Sequence, residues 1–187
     1  MSFDPASFDT KAFGAGGGAK GGSPEYLYVN NYTADVNQWT PTGSTPYLHD
    51  SDAYYINSQV TDQIDRNFDF ANTAIADFAT ITKIELEIES RSTALGCYVH
   101  CALSLDGVNF TEKLNAPIDE SDTWMYVAAD VTAFFASLAD INACTLRCTS
   151  HKGVAANTIR VRRARLKITY TVASTQQTKT LIEEYDY

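Results

Sequence analysis

The stretch ITKIELEIES at residues 81–90 constrains the fold most, because charged and apolar side chains alternate strictly from Lys83 to Glu89. Ile84, Leu86 and Ile88 share one face of an extended chain. The side chains between them share the other face: Lys83, Glu85, Glu87 and Glu89. A period of two over this length predicts a β-strand with one face in a core and one in water. We interpret the three glutamates as a solvated strand face rather than as acid–base catalysts.

A second long strand is predicted at TIRVRRARLKITYTV, residues 158–172, where the alternation changes phase. Ile159 and Val161 are apolar at odd numbers, whereas the apolar residues from Ala164 onward stand at even numbers. One face can serve both sets only if an extra residue is accommodated near Arg162-Arg163, which predicts a β-bulge.

The charges of these two strands are complementary. Beyond the predicted bulge, Arg163, Arg165 and Lys167 line the face opposite the apolar residues. Basic side chains on one strand and glutamates on the other predict that the two strands are antiparallel neighbours. The basic run is also compatible with anion binding, but strand pairing explains it better.

Shorter segments rich in aromatic and β-branched residues predict further strands. They are residues 25–32, 66–71, 95–105, 123–130 and 143–150. Asp106-Gly107, which follows the third of them, is a strong hairpin signal. The many short strands predict an all-β chain folded as an antiparallel β-sandwich, and we favour a jelly roll.

One short helix interrupts the strands at residues 131–140, VTAFFASLAD. Its apolar residues recur at helical spacing, and Asp130 stands where a helix N-cap is expected. These apolar residues are Val131, Phe134, Phe135 and Leu138.

The two ends of the chain differ from its body. Residues 1–24 predict a flexible anchoring arm, in which Phe3, Phe8 and Phe13 precede a glycine-rich run. Residues 25–175 form the predicted β-sandwich domain, and residues 176–187 form an acidic aromatic tail. We expect partner binding through the three phenylalanines and through two tyrosines of the tail, Tyr185 and Tyr187. Nothing near the N-terminus has the pattern of a signal peptide, so we expect synthesis and assembly in a cytoplasm.

A loop rich in proline and glycine carries a second candidate binding set. Its aromatic residues are Trp39, Tyr47, Tyr54 and Tyr55. They would either stack on sugar rings or close one end of the sandwich. Within the same loop, HDSD at residues 49–52 is either a calcium site or, as we favour, an aspartate-rich turn.

The four cysteines occur as two Cys-x-x-x-Cys pairs, Cys97 with Cys101 and Cys144 with Cys148. On a strand, the Cα atoms of each pair would lie about 13 Å apart, too far for a disulfide within the pair. Small buried thiols are favoured over cross-strand disulfides or a metal site.

Motifs for catalysis are missing from the sequence. The three histidines are not in triad or metal-ligand spacing, and there is no nucleophile elbow or phosphate loop. A net charge of -9 argues against general nucleic-acid binding, and no apolar run is long enough to cross a membrane. The sequence therefore predicts a protein that is not an enzyme, with no cofactor and no metal.

The repeat FDPASFDTKAF at residues 3–13 resembles phenylalanine–aspartate repeats at the ends of tailed-bacteriophage virion proteins. The body, from WTPTGSTPYLHDSDAYYI to IRVRRARLKITYTV, resembles jelly-roll modules of phage particles and of carbohydrate-binding proteins. The resemblance implies a minor structural protein of the virion, in the head decoration, neck or tail, assembled in the bacterial host cytoplasm. Its implied partners are other virion proteins, and it would be a homo-oligomer in the assembly. The alternative is a carbohydrate-binding module for adsorption to a host-surface glycan.

Overall fold

The structure is a computed structural model that describes residues 20–33, 40–42, 54–57, 62–93, 96–118, 123–151 and 158–172. The strands are β1 (Lys20–Gly21), β2 (Glu25–Thr33), β3 (Thr40–Thr42), β4 (Tyr54–Asn57), β5 (Asp62–Phe70), β6 (Thr80–Ser92), β7 (Cys97–Ser104), β8 (Thr111–Ile118), β9 (Met125–Asp130), β10 (Thr145–His151) and β11 (Ile159–Val172). A 3-10 turn at Thr132–Phe134 and helix α1 (Leu138–Ala143) separate β9 from β10.

The strands form two layers, in which all pairings are antiparallel. The first sheet has the order β9–β6–β11. The edge of β11 that faces away from β6 pairs, along its length, with β4, then β2, then β1. The second sheet has the order β2–β5–β10–β7–β8. Strand β2 joins both sheets, since its first half pairs with β11 and its second half with β5.

The strand pairs are nested, so that the strands nearest the two ends of the sandwich pair with each other and the strands nearest its middle pair with each other. β2 pairs with β11, β5 with β10, β6 with β9, and β7 with β8. This nesting is the topology of a jelly roll, so the predicted all-β antiparallel sandwich with one short helix is confirmed. Among the described residues, strand pairing starts at Lys20, five residues before the predicted start of the sandwich domain.

The core lies between the two sheets and is built by the alternating apolar residues. Leu86 of β6, Leu166 of β11 and Leu27 of β2 stand side by side in register, each at most 2% exposed. From the second sheet, Val99 and Leu146 face the same core and are fully buried. The predicted β-bulge is confirmed, because the register with β6 shifts by one residue between Val161 and Arg163.

All four cysteines are free thiols in this core, at most 3% exposed. Cys101 and Cys148 are directly opposite each other on β7 and β10. Burial raises the pKa of the Cys144 thiol to about 12, which suppresses the reactive thiolate.

We expect a soluble aromatic disulfide reagent to modify none of the four thiols in the folded protein and all four in denaturant. The measurement is the absorbance of the released thiolate, made without added reductant. Fewer than four thiols in denaturant would mean that cross-strand disulfides form instead.

Two sequence predictions need correction. The single helix predicted over residues 131–140 is wrong: a 3-10 turn ends at Phe134, Phe135 is extended, and α1 begins only at Leu138. The reason is a capping box, in which the Ser137 side chain accepts from the Asp140 N–H and the Asp140 carboxylate accepts from the Ser137 N–H. Asp130 instead accepts from the N–H of Thr132, the first residue of the 3-10 turn, whose N-cap is Val131.

The second correction concerns the glutamates of β6, which are not a solvated face. Only 2% of Glu87 and 8% of Glu89 is exposed, although both point away from the core. Arginine side chains of the neighbouring strand β11 cover them.

The predicted hairpin at Asp106-Gly107 is confirmed, since β7 and β8 pair directly, with a six-residue loop at 105–110 between them. Gly107 adopts a positive φ of 71°, which favours glycine. The Asp106 carboxylate accepts hydrogen bonds from the Val108 N–H and the Asn109 N–H, and these bonds hold the pKa of Asp106 well below its usual range.

Candidate functional site

The outer face of the first sheet, formed by β9, β6, β11 and β2, is the most distinctive surface of the described chain, and we call it the charged face. Strand register arranges its side chains in rows. The first row is Asp130, Glu85, Lys167 and Tyr26. The second row is Ala128, Glu87, Arg165 and Tyr28. The third row is Tyr126, Glu89 and Arg163. Carboxylates and basic groups therefore occupy the two central strands, and aromatic rings flank them.

Glu87 is the most deeply buried charge of this face. The Nε of Arg165 donates to its Oε2, and the Nζ of Lys167 lies 3.9 Å from its Oε1. Burial, together with a hydrogen bond to Glu87, raises the pKa of Tyr126 above its ordinary value. Three neighbours thus satisfy and cover the carboxylate, which explains why a residue on the outer side of the sheet is hidden from water.

Arg165 is itself held by aromatic rings. Its guanidinium carbon lies 4.1 Å from the ring centre of Tyr26 and 5.6 Å from that of Tyr28. Its Nη1 also donates to the Tyr28 hydroxyl over 2.9 Å. With the Glu87 bond, these contacts fix the position of the guanidinium at the centre of the face.

Glu85 forms the more exposed part of the network. The Nζ of Lys83 lies 2.6 Å from its Oε1, and the Nζ of Lys167 lies 3.0 Å from its Oε2. These hydrogen bonds lower the pKa of Glu85 and raise that of Lys167.

This shift predicts a dependence of stability on pH. A carboxyl group whose pKa is lower in the folded state stabilises the protein above its unfolded-state pKa, and this stabilisation disappears as the pH falls through the folded-state pKa. We therefore expect Glu85→Gln to be less stable than wild type at neutral pH and to approach it as the pH falls from about 5 towards about 2. Urea unfolding across that range measures the difference, and a difference independent of pH would contradict the prediction.

Four arginines lie at the end of the charged face that is farthest from Glu85. We call them the arginine cluster: Arg91, Arg160, Arg162 and Arg163. Arg91 and Arg160 are directly opposite each other on β6 and β11. The Trp124 ring contacts two of the guanidinium groups, 4.6 Å from that of Arg91 and 4.5 Å from that of Arg162.

Glu89 is the carboxylate beside this cluster. Its Oε1 accepts from the Nη2 of Arg162 over 2.5 Å. Its Oε2 lies 3.5 Å from the Nη1 of Arg163. The bulge makes this possible, because it brings the consecutive residues Arg162 and Arg163 to one carboxylate.

The outer face of the second sheet is organised differently. There the guanidinium of Arg147 lies 3.7 Å from the Phe110 ring centre, and its Nε donates to Asn67 over 3.0 Å. The Nδ1 of His100 lies 3.3 Å from a Glu112 oxygen. Within the described ranges, no group of three or more His, Cys, Asp or Glu residues is placed to hold a metal ion. Among the same residues, no helix is sufficiently long and apolar to span a membrane.

The described structure does not test the binding residues proposed from the sequence. Seven of them lie outside it: Phe3, Phe8, Phe13, Trp39, Tyr47, Tyr185 and Tyr187. The HDSD segment at residues 49–52 also lies outside it. Tyr54 and Tyr55 belong to β4, where they pair with Thr42 and Pro41 of β3.

Sequence reasoning missed the aromatic residues of the charged face. Tyr26 and Tyr28 alternate with core residues of β2, and Trp124 and Tyr126 alternate along the segment that becomes β9. The available signal was this shared period of two. It becomes informative only once β2 and β9 are known to flank β11 and β6.

No protein-family model matches the sequence, and no curated protein matches it. Among solved structures, the chain is similar to a family 61 carbohydrate-binding module in complex with β-1,4-galactotriose, with a TM-score of 0.46 and 9% identity over 73% of this chain and 86% of the other. It is also similar to the C-terminal family 6 module of LamC, a marine laminarinase from Zobellia galactanivorans, with a TM-score of 0.46 and 9% identity over 77% of this chain and 98% of the other. A third similar structure is a family 29 carbohydrate-binding module, with a TM-score of 0.45 and 10% identity over 78% and 89% of the two chains. The jelly-roll topology follows from the strand order of this chain itself.

Proposed function

We propose that the protein is a non-catalytic carbohydrate-binding domain and that the charged face binds the glycan. One observation carries this proposal: aromatic rings stand on both margins of a sheet face whose centre is a fixed array of hydrogen-bonding groups. Each part of that arrangement suits a different part of a sugar.

The aromatic margins suit the apolar C–H faces of sugar rings. Tyr126 is 51% exposed on one margin and Tyr26 is 38% exposed on the other. Trp124 extends the first margin and is partly buried against the arginine cluster. Four strands spaced about 4.8 Å apart make the face roughly 14 Å wide, which favours an oligosaccharide over a single sugar.

The centre of the face suits hydroxyl groups, which both donate and accept hydrogen bonds. The Glu85 carboxylate offers acceptors and the Lys167 ammonium offers donors, and both side chains are partly exposed. Because ion pairs already hold these side chains in place, a ligand would lose little additional side-chain entropy on binding. A nucleic-acid strand fits this centre less well, since the glutamates would repel phosphates.

The same ion pairs argue against glycoside hydrolysis. A general acid needs a carboxyl group whose pKa is raised, so that it carries a proton. On the charged face, Glu85 has a lowered pKa, and Glu87 and Glu89 are each bonded to arginine. The arrangement therefore favours binding over bond cleavage.

Trp124→Ala tests the proposal against the alternative platform in the loop around Trp39. We expect the wild-type protein to bind at least one member of a panel of plant, algal and bacterial polysaccharides, with the Kd measured by isothermal titration calorimetry. Trp124→Ala should weaken that binding at least about tenfold, because it removes a stacking surface. Trp39→Ala should leave it unchanged.

Circular dichroism of each variant supplies the folding control. If Trp39→Ala loses binding while Trp124→Ala retains it, the loop is the platform and the charged face is not. If the wild type binds no polysaccharide in a broad panel, the carbohydrate proposal is wrong.

The spacing of Phe3, Phe8 and Phe13 favours a second role, as an anchored subunit of a phage particle assembled in the bacterial cytoplasm. The two roles are compatible, because the arm and the charged face are separate parts of the chain. Sedimentation with DNA-filled particles, compared between the full chain and a form lacking residues 1–22, tests it. Failure of both forms to sediment with particles would overturn this role and leave the carbohydrate proposal untouched.

A further inference from the structure

We infer that the side chain of Phe13 packs into a groove at one end of the sandwich of its own chain, so that the N-terminal arm docks on the domain that carries it. The inference is independent of the proposed carbohydrate binding, because different residues form the groove and the rows of the charged face. It comes from the apolar lining of the groove, from the position at which the described chain begins, and from the charges along the arm.

The groove lies where the loop before β6, the start of β6 and the segment from the 3-10 turn to α1 meet, and we call it the end groove. Its volume is about 560 Å³, within the usual range of ligand-binding cavities. Two of its lining residues, Ile84 and Ile141, are at most 1% exposed, so the groove reaches the core. Its larger apolar lining residues are Ile81, Ile84, Phe135, Leu138 and Ile141. Such a lining suits an apolar side chain as large as an aromatic ring.

The described chain begins close to this groove. Gly21 of β1 is directly opposite Thr171 of β11, and Thr171 is directly opposite Thr80 of β6. Two strand spacings of about 4.8 Å place Gly21 roughly 10 Å from Thr80, which precedes Ile81 of the end groove. Phe13 comes eight residues before Gly21, and a chain of that length spans up to about 26 Å. Phe13 can therefore reach the groove of its own chain.

The short connection favours the same chain over a second copy. Residues 14–19, GAGGGA, join Phe13 to β1. A glycine-rich linker of this composition can follow many paths, so it imposes little strain on a docked ring. A short tether also gives the ring an effective concentration in the millimolar range at the groove. Docking within one chain is then favoured at lower protein concentrations.

Charge favours Phe13 over the other aromatic residues near the two ends of the chain. Asp77 is exposed at the end groove. Phe3 and Phe8 are each followed by an aspartate, which Asp77 would repel. Phe13 instead has Lys11 two residues before it and glycine after it. The acidic tail is disfavoured for the same reason as Phe3 and Phe8.

Docking of Phe13 would divide the arm into two parts. Residues 14–19 would lie along the end of the sandwich, and residues 1–12 would extend beyond the groove. Phe3 and Phe8 would then remain available for contacts with other molecules.

Photo-cross-linking locates the Phe13 ring in the full chain. Phe13 is replaced by p-benzoylphenylalanine, which on irradiation forms a covalent bond to a nearby C–H group, and mass spectrometry maps the product. We expect a product of monomeric mass in which position 13 is joined to the end groove, at Phe135, Leu138 or Ile141. Its yield should not depend on protein concentration.

A blocked groove and a matched control test the location. Ala139→Arg should lower the yield at least about fivefold, because Ala139 is exposed in the groove and the longer side chain fills it. Ala143→Arg should leave the yield unchanged, because Ala143 is an exposed alanine of the same helix that does not line the groove. Lys11→Glu should lower the yield about twofold, as expected for an exposed ion pair with Asp77. Circular dichroism checks that each variant is folded.

The other outcomes overturn the inference. A cross-linked product of dimeric mass at the end groove would mean that the arm of a second copy occupies it. A cross-link to another part of the domain, or none to the domain, would mean that Phe13 does not dock there. An equal loss of yield in Ala139→Arg and Ala143→Arg would show that the groove is not the cause. If p-benzoylphenylalanine at Tyr185 reaches the groove more efficiently than at Phe13, the tail is the occupant. All of these outcomes leave the carbohydrate proposal untouched.

Discussion

Replacing Glu87 with alanine is expected to lower the free energy of unfolding by about 3–5 kcal/mol, the typical cost of removing one partner of a buried ion pair. The variant leaves Arg165 between Tyr26 and Tyr28, with only 14% of its side chain exposed and without its carboxylate. Chemical denaturation monitored by tryptophan fluorescence and by circular dichroism measures the effect.

A charge-free pair provides the control for this prediction. The double variant Glu87→Leu with Arg165→Leu should recover most of the lost stability, because it removes both buried charges. Glu112→Ala, at a glutamate whose side chain is 61% exposed, should change stability by less than about 0.5 kcal/mol. A similarly small effect of Glu87→Ala would show that the Glu87 carboxylate is not buried in the way described.

Leu86→Ala is expected to cost about 2–5 kcal/mol, through lost burial and the cavity that remains. Leu86 is fully buried and stands in register between Ala129 of β9 and Leu166 of β11. The same denaturation experiment measures the loss. Val108→Ala, at a residue that is 75% exposed, should have little effect and is the matched control. A loss below about 1 kcal/mol for Leu86→Ala would contradict the placement of this residue in the core.

The two substitutions affect consecutive residues on opposite sides of one strand. In an ordinary sandwich strand, the outward residue would matter much less than the inward one. Comparable losses at Leu86 and Glu87 would mean that the first sheet is packed on both sides, by an apolar layer inside and by a layer of paired charges and aromatic rings outside.

The sequence predicted the part of this arrangement that depends on alternation and on local phase. The period of two in β6, the phase change in β11 and the opposite charges of the two strands were sufficient to predict their pairing and the bulge between them. These features are local or involve two neighbouring strands, so a pattern along the chain contains them.

The burial of Glu87 could not be predicted in the same way. Alternation indicates the side of the sheet on which a residue lies, but not what covers that side. Here the cover includes Tyr126 from β9 and the guanidinium of Arg165, which is held in turn by the Tyr28 hydroxyl from β2. The contributing strands are distant in sequence, and the nested pairing of the jelly roll brings them together.

The pairing of β1 with the end of β11 determines where the two ends of the described chain lie relative to the charged face. Lys20 stands beside Val172, so the first and last described residues of the sandwich lie side by side at one corner. Arg160 lies on the same strand, about 35 Å from Thr171 at the usual rise of an extended chain. Residues 1–19 and 173–187 are therefore attached to the sandwich far from the arginine cluster, at the opposite end of the charged face.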